Sequence, residues 1–468
     1  MGTLSQHLLH RIVDMPLYST LPFPRHDSES YLATHRLPAI QAGPGNIQEA
    51  LDEDGSNSLL KLPGTLNRAA YPLSIFRYRN FAFLWTSTTL LGMGTQMEAL
   101  VMGWYVLTLT DSPFLVGLTW SARMSLNIFA LFAGAIADRL PRNRILATVE
   151  FIIAALGLIM ILLILSGRIQ VWHIFGVAMA AGVVRVFQMP SAQSLVADTL
   201  PQDRIGNGAA FNSVGMNIAM LLGPLIGGVL FKSYGPEGAY AMITALYCLS
   251  GLAALFIRVD RNAAAQIREP VLRAIFAGLK YVKGEQVIWG TLMFAVIIEF
   301  FGWTFHTGLL PVFAQDVLET DSAGLGVLMF AFGFGALTGS IGLAMVRNLR
   351  HVGKFMFAGA ILWHASILVI STSHSFYLSM GILVFIGMGF GSIQVFMLTA
   401  LLRATQSDYR GRVISLRSLA IYSFAIGSMS SGAIAGIWGP LQAARVIGIM
   451  GIILILTLAL VTPKLRRF

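Results

Sequence analysis

From Ala82 onward the chain repeats one pattern: about 20 to 28 apolar residues, a short polar link, then another apolar run. A run of that length spans the hydrocarbon core of a bilayer, about 30 Å at 1.5 Å per helical residue. The runs predict twelve spanning helices, near 82–108, 113–137, 145–166, 171–198, 208–231, 238–257, 289–315, 322–346, 354–372, 375–402, 413–437 and 440–461. A lipid-spanning barrel would alternate polar and apolar residues at period two, and this chain shows no such long-range alternation. Residues 1–77 break the pattern. Pro, Ser, His and Gly are common there and no stretch reaches spanning length. They are expected to form a disordered cytoplasmic tail, with a regulatory docking segment as the alternative.

Residues 258–288 are polar and separate the sixth run from the seventh. Within them Leu272, Ile275, Phe276 and Leu279 share one helical face, with Arg273 and Lys280 to its side, which predicts an amphipathic helix on the cytoplasmic surface. The expected organisation is a tail (1–77), a six-helix bundle (78–257), this linker (258–288) and a second bundle (289–463). The two bundles look like a repeat. Thr110-Asp111-Ser112-Pro113 matches Thr320-Asp321-Ser322-Ala323, and Asp203-Arg204-Ile205-Gly206-Asn207 matches Asp408-Tyr409-Arg410-Gly411-Arg412, each pair at the same topological position. Two six-helix units in parallel repeat bury a pathway at their interface.

Composition agrees with a membrane protein: of 468 residues 56% are hydrophobic and only 12% charged, with a mean hydropathy of +0.71. The formal charge of +10 raises the question of nucleic acid. Its distribution answers it, because nineteen basic residues fall in the links of one side and three (Arg168, Lys232 and Arg445) on the other. That asymmetry is a topology signal, and it places both termini and the linker in the cytoplasm. A single cysteine, Cys248, excludes a disulfide framework and a thiolate metal cluster.

After the second run the chain reads Gly134-Ala135-Ile136-Ala137-Asp138-Arg139-Leu140-Pro141-Arg142-Asn143-Arg144. This string resembles the cytoplasmic signature of the major facilitator superfamily, with Pro141 in place of the usual glycine of the turn. Phe76-Arg77 through Trp85, Gly103-Trp104, Leu107 to Pro113 and Gly278-Leu279-Lys280-Tyr281-Val282 resemble the branch that holds the enterobactin exporter and related drug and siderophore effluxers. The resemblance covers about residues 75–463. It implies an all-α membrane protein of twelve transmembrane helices in two six-helix bundles, working by alternating access in a bacterial inner membrane. It also implies a cytoplasmic gate of Gly134, Asp138, Arg139, Arg142 and Arg144. There the Asp138 carboxylate would dock against the N-terminus of a helix beginning near Gly411, where the dipole favours negative charge. The alternative is that these charges mark topology only.

In the fifth run Gly215, Gly223, Pro224, Gly227 and Gly228 resemble a signature found chiefly in exporters that exchange substrate for protons, with Ala219 where the fuller pattern has glycine. Pro224 removes a backbone donor and the glycines permit close helix approach. Ordinary small-residue packing is the competing explanation, since Gly335 with Gly339 and Gly387 with Gly391 show the same spacing.

Ionisable side chains inside a span are costly and prompt functional hypotheses. Glu98, Arg123, Arg185, Glu299, His306 and Arg417 are the candidates for a proton or substrate pathway, Glu98 with Arg123 being an expected pair; buried structural ion pairs are the alternative. His364 and Cys248 are expected to pack. Trp104, Tyr105, Trp120, Trp303 and Phe305 either line a cavity or pack between helices. No nucleotide-binding GxxxxGK motif, HExxH motif or nucleophile arrangement stands in the sequence, which sets enzyme classes aside. The expectation is a secondary transporter without cofactor or metal, a monomer whose partners are protons, lipid and a small organic compound that it exports. An importer of the same fold and a non-transporting sensor or scaffold are the rivals.

Overall fold

The computed structural model describes residues 73–125, 141–258, 271–346 and 351–468. Among them the regular structure is helical throughout, as lipid demands: with no water to satisfy backbone groups, a segment that is not part of a closed barrel must bond to itself. The spans are α1 (Arg79–Thr110), α2 (Pro113–Ser125 in its described part), α3 (Arg142–Leu165), α4 (Val171–Thr199), α5 (205–234) and α6 (236–255). The second half has α7 (Gln286–Asp316), α8 (Ser322–Ala344), α9 (Val352–Ile370), α10 (Phe376–Ala404), α11 (Arg410–Trp438) and α12 (Pro440–Val461). Nine stretches among the described residues are long and apolar enough to cross a bilayer, and one of these, Gln202–Leu255, holds both α5 and α6. Gly235 divides them with φ 69° and ψ −178°, a conformation only glycine adopts without strain. With α1, 32 residues long, and the described part of α2, the described residues hold portions of all twelve helices that the sequence pattern predicts.

Local sequence sets the ends. Asp321 caps α8 by accepting from the Gly324 amide, Ser375 caps α10 by accepting from the Leu378 amide, and Pro440 follows Gly439 (φ 85°) at the start of α12. The repeat seen in the sequence has a structural counterpart. Gln202–Arg204 and Ser407–Tyr409 are both single 3-10 turns, each preceded by an extended residue and each leading into a span, α5 or α11. The other match is looser: Asp111 ends α1 in the left-handed region, whereas Asp321 caps the start of α8.

The links at 111–112, 166–170, 235, 317–321, 371–375 and 439 share one face, the far face; the other is the linker face. Near the far face the two halves press backbone to backbone. A Cβ on Gly228 of α5 would collide with the Ser322 carbonyl of α8, one on Gly326 with the Pro224 carbonyl, and one on Gly117 of α2 with the Ser428 carbonyl of α11. Ser322 donates to the Gly228 carbonyl at 2.9 Å and Ser121 to the Ala425 carbonyl at 2.6 Å. At the rim Lys232 Nζ lies 2.7 Å from Asp321 Oδ2. Burial raises the Asp321 pKa, but the hydrogen bonds from Lys232 and the Gly324 amide outweigh it and hold the carboxyl below its ordinary value. The ion pair is thus intact at neutral pH and is lost only as pH falls through that depressed value.

The linker helix, Val271–Gly284, meets the start of α11 through residues other than those of the predicted apolar face. Leu279, assigned to the apolar face, is exposed, and the side chains of Leu272, Ile275 and Phe276 lie outside the described residues. Contact with the start of α11 is made instead by Gly278, whose position faces Arg412 and Leu416, by Val282, and by Tyr281, stacked on Tyr409 at 4.1 Å. The reason is the hydroxyl at the tip of the Tyr281 ring, which accepts from the Gln406 amide at 3.2 Å. An apolar count alone does not register that contact.

These contacts rank two variants. Asp321 and Lys232 are 45% and 58% exposed, so their pairing contributes at most about 1 kcal/mol, and Asp321→Asn, which keeps the cap, is expected to leave thiol labelling of Ala425→Cys from the far face within about twofold of the parent. Gly228→Ala places a methyl on the Ser322 carbonyl and overpacks the seal by about 1 to 3 kcal/mol. It is expected to raise thiol labelling of Ala425→Cys from the far face, in a Cys248→Ser background, by about tenfold. Labelling rates in membranes check the order.

Candidate functional site

Four helices of the first half converge on Glu98 of α1. Its Oε2 accepts from Arg185 Nη2 of α4 at 2.7 Å and from the Tyr247 hydroxyl of α6 at 3.0 Å, and it faces Arg123 Nη2 of α2 at 3.6 Å. The side chains of Glu98, Arg123 and Arg185 are 5%, 6% and 11% exposed. Glycines make the convergence possible. A Cβ on Gly94 would meet the Tyr247 ring at 2.6 Å, and one on Gly182 would collide with the Arg123 carbonyl, so α1 approaches α6 and α4 approaches α2 only without side chains there. Arg185 also donates to Thr95 Oγ1 at 2.6 Å and to the Tyr247 hydroxyl at 2.8 Å, and its guanidinium lies 5.4 Å from the Tyr247 ring centroid. Arg123 sits 5.5 Å from the Trp120 ring centroid and makes no hydrogen bond among the described residues.

The expected pair of Glu98 and Arg123 is therefore a triad in which Arg185 holds the closer place. Its charges do not cancel: two guanidiniums share one carboxylate. A pair at about 4 Å attracts by roughly 4 kcal/mol at an effective dielectric constant near 20, so loss of the carboxylate leaves two like charges facing across a buried space.

Beside the triad a cavity of about 870 Å³ runs toward the linker face, reaching Ile205 and Ala209 near the start of α5. Arg123 and Arg185 stand on its wall with Gln96, Gln188, Gln193 and Asn212, and Tyr422 of α11 is its contribution from the second half. None of Trp104, Tyr105, Trp120, Trp303 and Phe305 lines it. Trp104, Tyr105 and Phe305 are core residues, Trp120 packs edge-on to Phe424 across the halves, and Trp303 stacks on Phe390.

The candidates of the second half form no such cluster. Glu299 lies in a π-helical turn of α7, Ile298–Trp303, and has neither a side-chain hydrogen bond nor an ion pair within 4 Å among the described residues. Arg417 donates instead to Gln394 at 2.7 Å. His306, in the second π-helical turn (Phe305–Leu309), stacks on Phe332 at 4.2 Å with its Nδ1 buried and unpaired. Pro311, which has no amide proton and crowds the carbonyl of residue 307, follows directly and accounts for the widened turn. His364 packs: its Nδ1 meets the Ala360 carbonyl and its ring fills the space that Gly451 leaves.

Of the gate residues, Gly134, Asp138 and Arg139 lie outside the described residues. Arg142 pairs with Asp198 of α4 at 2.6 Å and Arg144 is exposed. In the α5 motif Gly215 faces Thr89 and Trp85, Gly223 and Gly227 face Gln96 and Met97 of α1, and Gly228 faces α8. Ala219, the departure from the fuller pattern, lies opposite Gly92, so the small residue has changed sides of the α1/α5 contact.

Two residues escape the sequence reading. Glu150 of α3 is fully buried and is held by the Ser87 hydroxyl at 2.9 Å, itself in contact with Ser250. Its position inside the third apolar run was a sufficient signal. Tyr247 gave none, because an uncharged residue in an apolar run looks like packing until α6 is placed against α1.

The family model described as transmembrane secretion effector matches residues 70–466. An uncharacterized MFS-type transporter of Bacillus subtilis, YkuC, is 26% identical over 58% of this chain and 65% of its own length, slightly under two thirds. The staphyloferrin A transporter of Staphylococcus aureus is 22% identical over 82% of this chain and 96% of its own. The multidrug efflux pump Tap of Mycolicibacterium fortuitum is 23% identical over 80% and 94%. A solved bacterial homolog of the human lysosomal transporter Spinster, in an inward-facing and unoccupied conformation, superposes with a TM-score of 0.67 at 14% identity, covering 84% of this chain and 97% of its own.

Removing one partner of a buried charge cluster costs about 3 to 5 kcal/mol. Glu98→Gln is therefore expected to lower the unfolding temperature of the purified protein, and Glu98→Gln with Arg185→Gln to recover part of the loss. Thermal unfolding in one detergent checks it, and additive losses would show that the two residues do not share a network.

Proposed function

We propose, for a chain that belongs to the transmembrane secretion effector family of the major facilitator superfamily, that it exports a small organic compound from the cytoplasm in exchange for protons. Transport by a multi-pass membrane protein follows from the family; direction, coupling and orientation are the proposal. The observation that carries it is the position of the α5 motif. Gly223 and Gly227 let α1 close in, and Gly228 presses on the Ser322 backbone, so the exporter-like Gly-Pro-Gly-Gly segment forms the seal between the halves at the far face. A proton-driven exporter needs that seal, because an open far face with an open cavity would dissipate the gradient that drives it.

In this reading the nineteen-to-three asymmetry of basic links places the linker face, the tail 1–77 and the C-terminus in the cytoplasm of a bacterium. The bundles 78–257 and 289–463 rock about the cavity as a monomer. Asp138 with Arg139, Arg142 and Arg144 works the cytoplasmic gate, and the linker 258–288 ties the two bundles. Export is also the activity suggested by the relative named as a multidrug efflux pump. Glu299 is the better proton carrier of the two candidate acids. Glu98 is held by two guanidiniums and a hydroxyl, whereas among the described residues no cation lies within 4 Å of Glu299 to compete with a proton. His306, Arg185, Arg123 and Arg417 then shape the pathway without carrying protons.

The experiment uses inside-out vesicles loaded with a panel of dyes and drugs. An imposed pH gradient, acid inside, should drive uptake of at least one compound, and Glu299→Gln should abolish that uptake while Asp321→Asn retains it. Uptake in the reverse direction would establish the importer instead. Asp138→Asn, which keeps size and removes charge, is expected to lower the rate severalfold at normal membrane abundance; an unchanged rate would remove Asp138 from the gate.

A further inference from the structure

We infer that the cavity binds an amphipathic organic anion whose carboxylate or equivalent acidic group is held by Arg123, an assignment of substrate class that rests on the transport reading above. Arg123 is the observation. Its guanidinium, with five N–H donors, is almost completely buried and faces the cavity, yet among the described residues its one ion-pair partner is Glu98 at 3.6 Å, beyond hydrogen-bond distance. Burying a charged donor set without acceptors is unfavourable, and a native fold retains such a group when something else supplies the acceptors.

Glu98 does not supply them at hydrogen-bond distance, because its Oε2 accepts from Arg185 and Tyr247 and stands 3.6 Å from Arg123 Nη2. The backbone does not bring Arg123 closer either: Gly182 lets α4 pack directly on the Arg123 carbonyl, and Trp120 lies beside the guanidinium. The side chain is thus held with its fork toward the cavity. A carboxylate there would accept two parallel hydrogen bonds from a planar guanidinium, a geometry that an ammonium does not reproduce.

Charge on the wall selects the same class. Arg123 and Arg185 line the cavity and, among the described residues, no aspartate or glutamate does, so a cation is repelled and an anion attracted. Much of the remaining surface is apolar, with Met124, Met189, Met216 and Val186 among the lining residues. Flexible thioethers accept aromatic or branched bodies of varied shape. An anion leaving a cell that is negative inside also moves down the membrane potential, so this substrate class agrees in sign with export.

The test is binding to the purified full-length chain in nanodiscs, read by fluorescence anisotropy, with pyrenebutyrate and pyrenebutanol as a matched acid and alcohol. Wild type is expected to hold the acid at least about tenfold more tightly than the alcohol. Arg123→Gln should remove that preference and leave the alcohol's affinity within about twofold, and the retained alcohol binding shows that the variant is folded. Arg123→Lys should keep only part of the preference, because it retains the charge and loses the fork. Glu98→Gln, by deleting the competing carboxylate, should strengthen the acid relative to the alcohol. Equal affinities in wild type, no binding of either probe, or an acid preference unchanged in Arg123→Gln or Arg123→Lys would overturn the inference. Binding requires neither protons nor direction. A chain that prefers the acid but does not export loses the export reading alone; a chain that exports other compounds without the acid preference loses this inference alone.

Discussion

Close approach of helices that have no hydrophobic reason to associate is the constraint on which this structure rests. In lipid a leucine gains nothing by leaving the tails for a neighbouring helix, so association depends on van der Waals contact and hydrogen bonds between backbones that come near enough. The contacts between the halves follow this rule. Gly117, Gly228 and Gly326 each sit where a methyl group would strike a carbonyl of the opposite half, and Ser121 and Ser322 bond to carbonyls across the same interface. The seal at the far face is made of backbone, and this lets it be both tight and separable: few side chains need to be withdrawn to open it.

The same scarcity of solvent explains where the charges stand. A carboxylate and two guanidiniums inside a bilayer must find one another, and glycines at 94 and 182 let their helices come within reach. The first half thereby acquires a strongly polar centre, while the second has an aromatic one in which Trp303, His306, Phe332 and Phe390 stack around the π-turns of α7. Two halves with a common topology have taken different chemistry in their interiors, and of the two only the polar centre adjoins the cavity. The matching 3-10 turns at Gln202–Arg204 and Ser407–Tyr409 record their shared architecture, and the unlike roles of Asp111 and Asp321 show how far it has since diverged.

The α5 motif and the triad are neighbours, and this links the seal to the cavity. Gly223 and Gly227 receive the turn of α1 that carries Gln96 and Met97, one residue before Glu98. Any rocking that separates α5 from α8 therefore shifts the segment that presents Glu98 to Arg185.

Twelve spans, their order, the position of the linker and the asymmetry of basic links were all legible in the sequence, because the length and apolarity of a membrane helix are set by the bilayer and not by its neighbours. Glu98, Arg123, Arg185 and Glu299 were legible for the same reason, since a charge in an apolar run stands out without any partner being known. Partnership was not legible. That Glu98 belongs first to Arg185 and Tyr247, that Arg123 has no hydrogen-bond acceptor among the described residues, and that Tyr281 docks on Tyr409 all depend on helix rotation and crossing. Those are decided by which small residues meet which backbone, between segments 60 to 150 positions apart, and no periodicity within one helix encodes them.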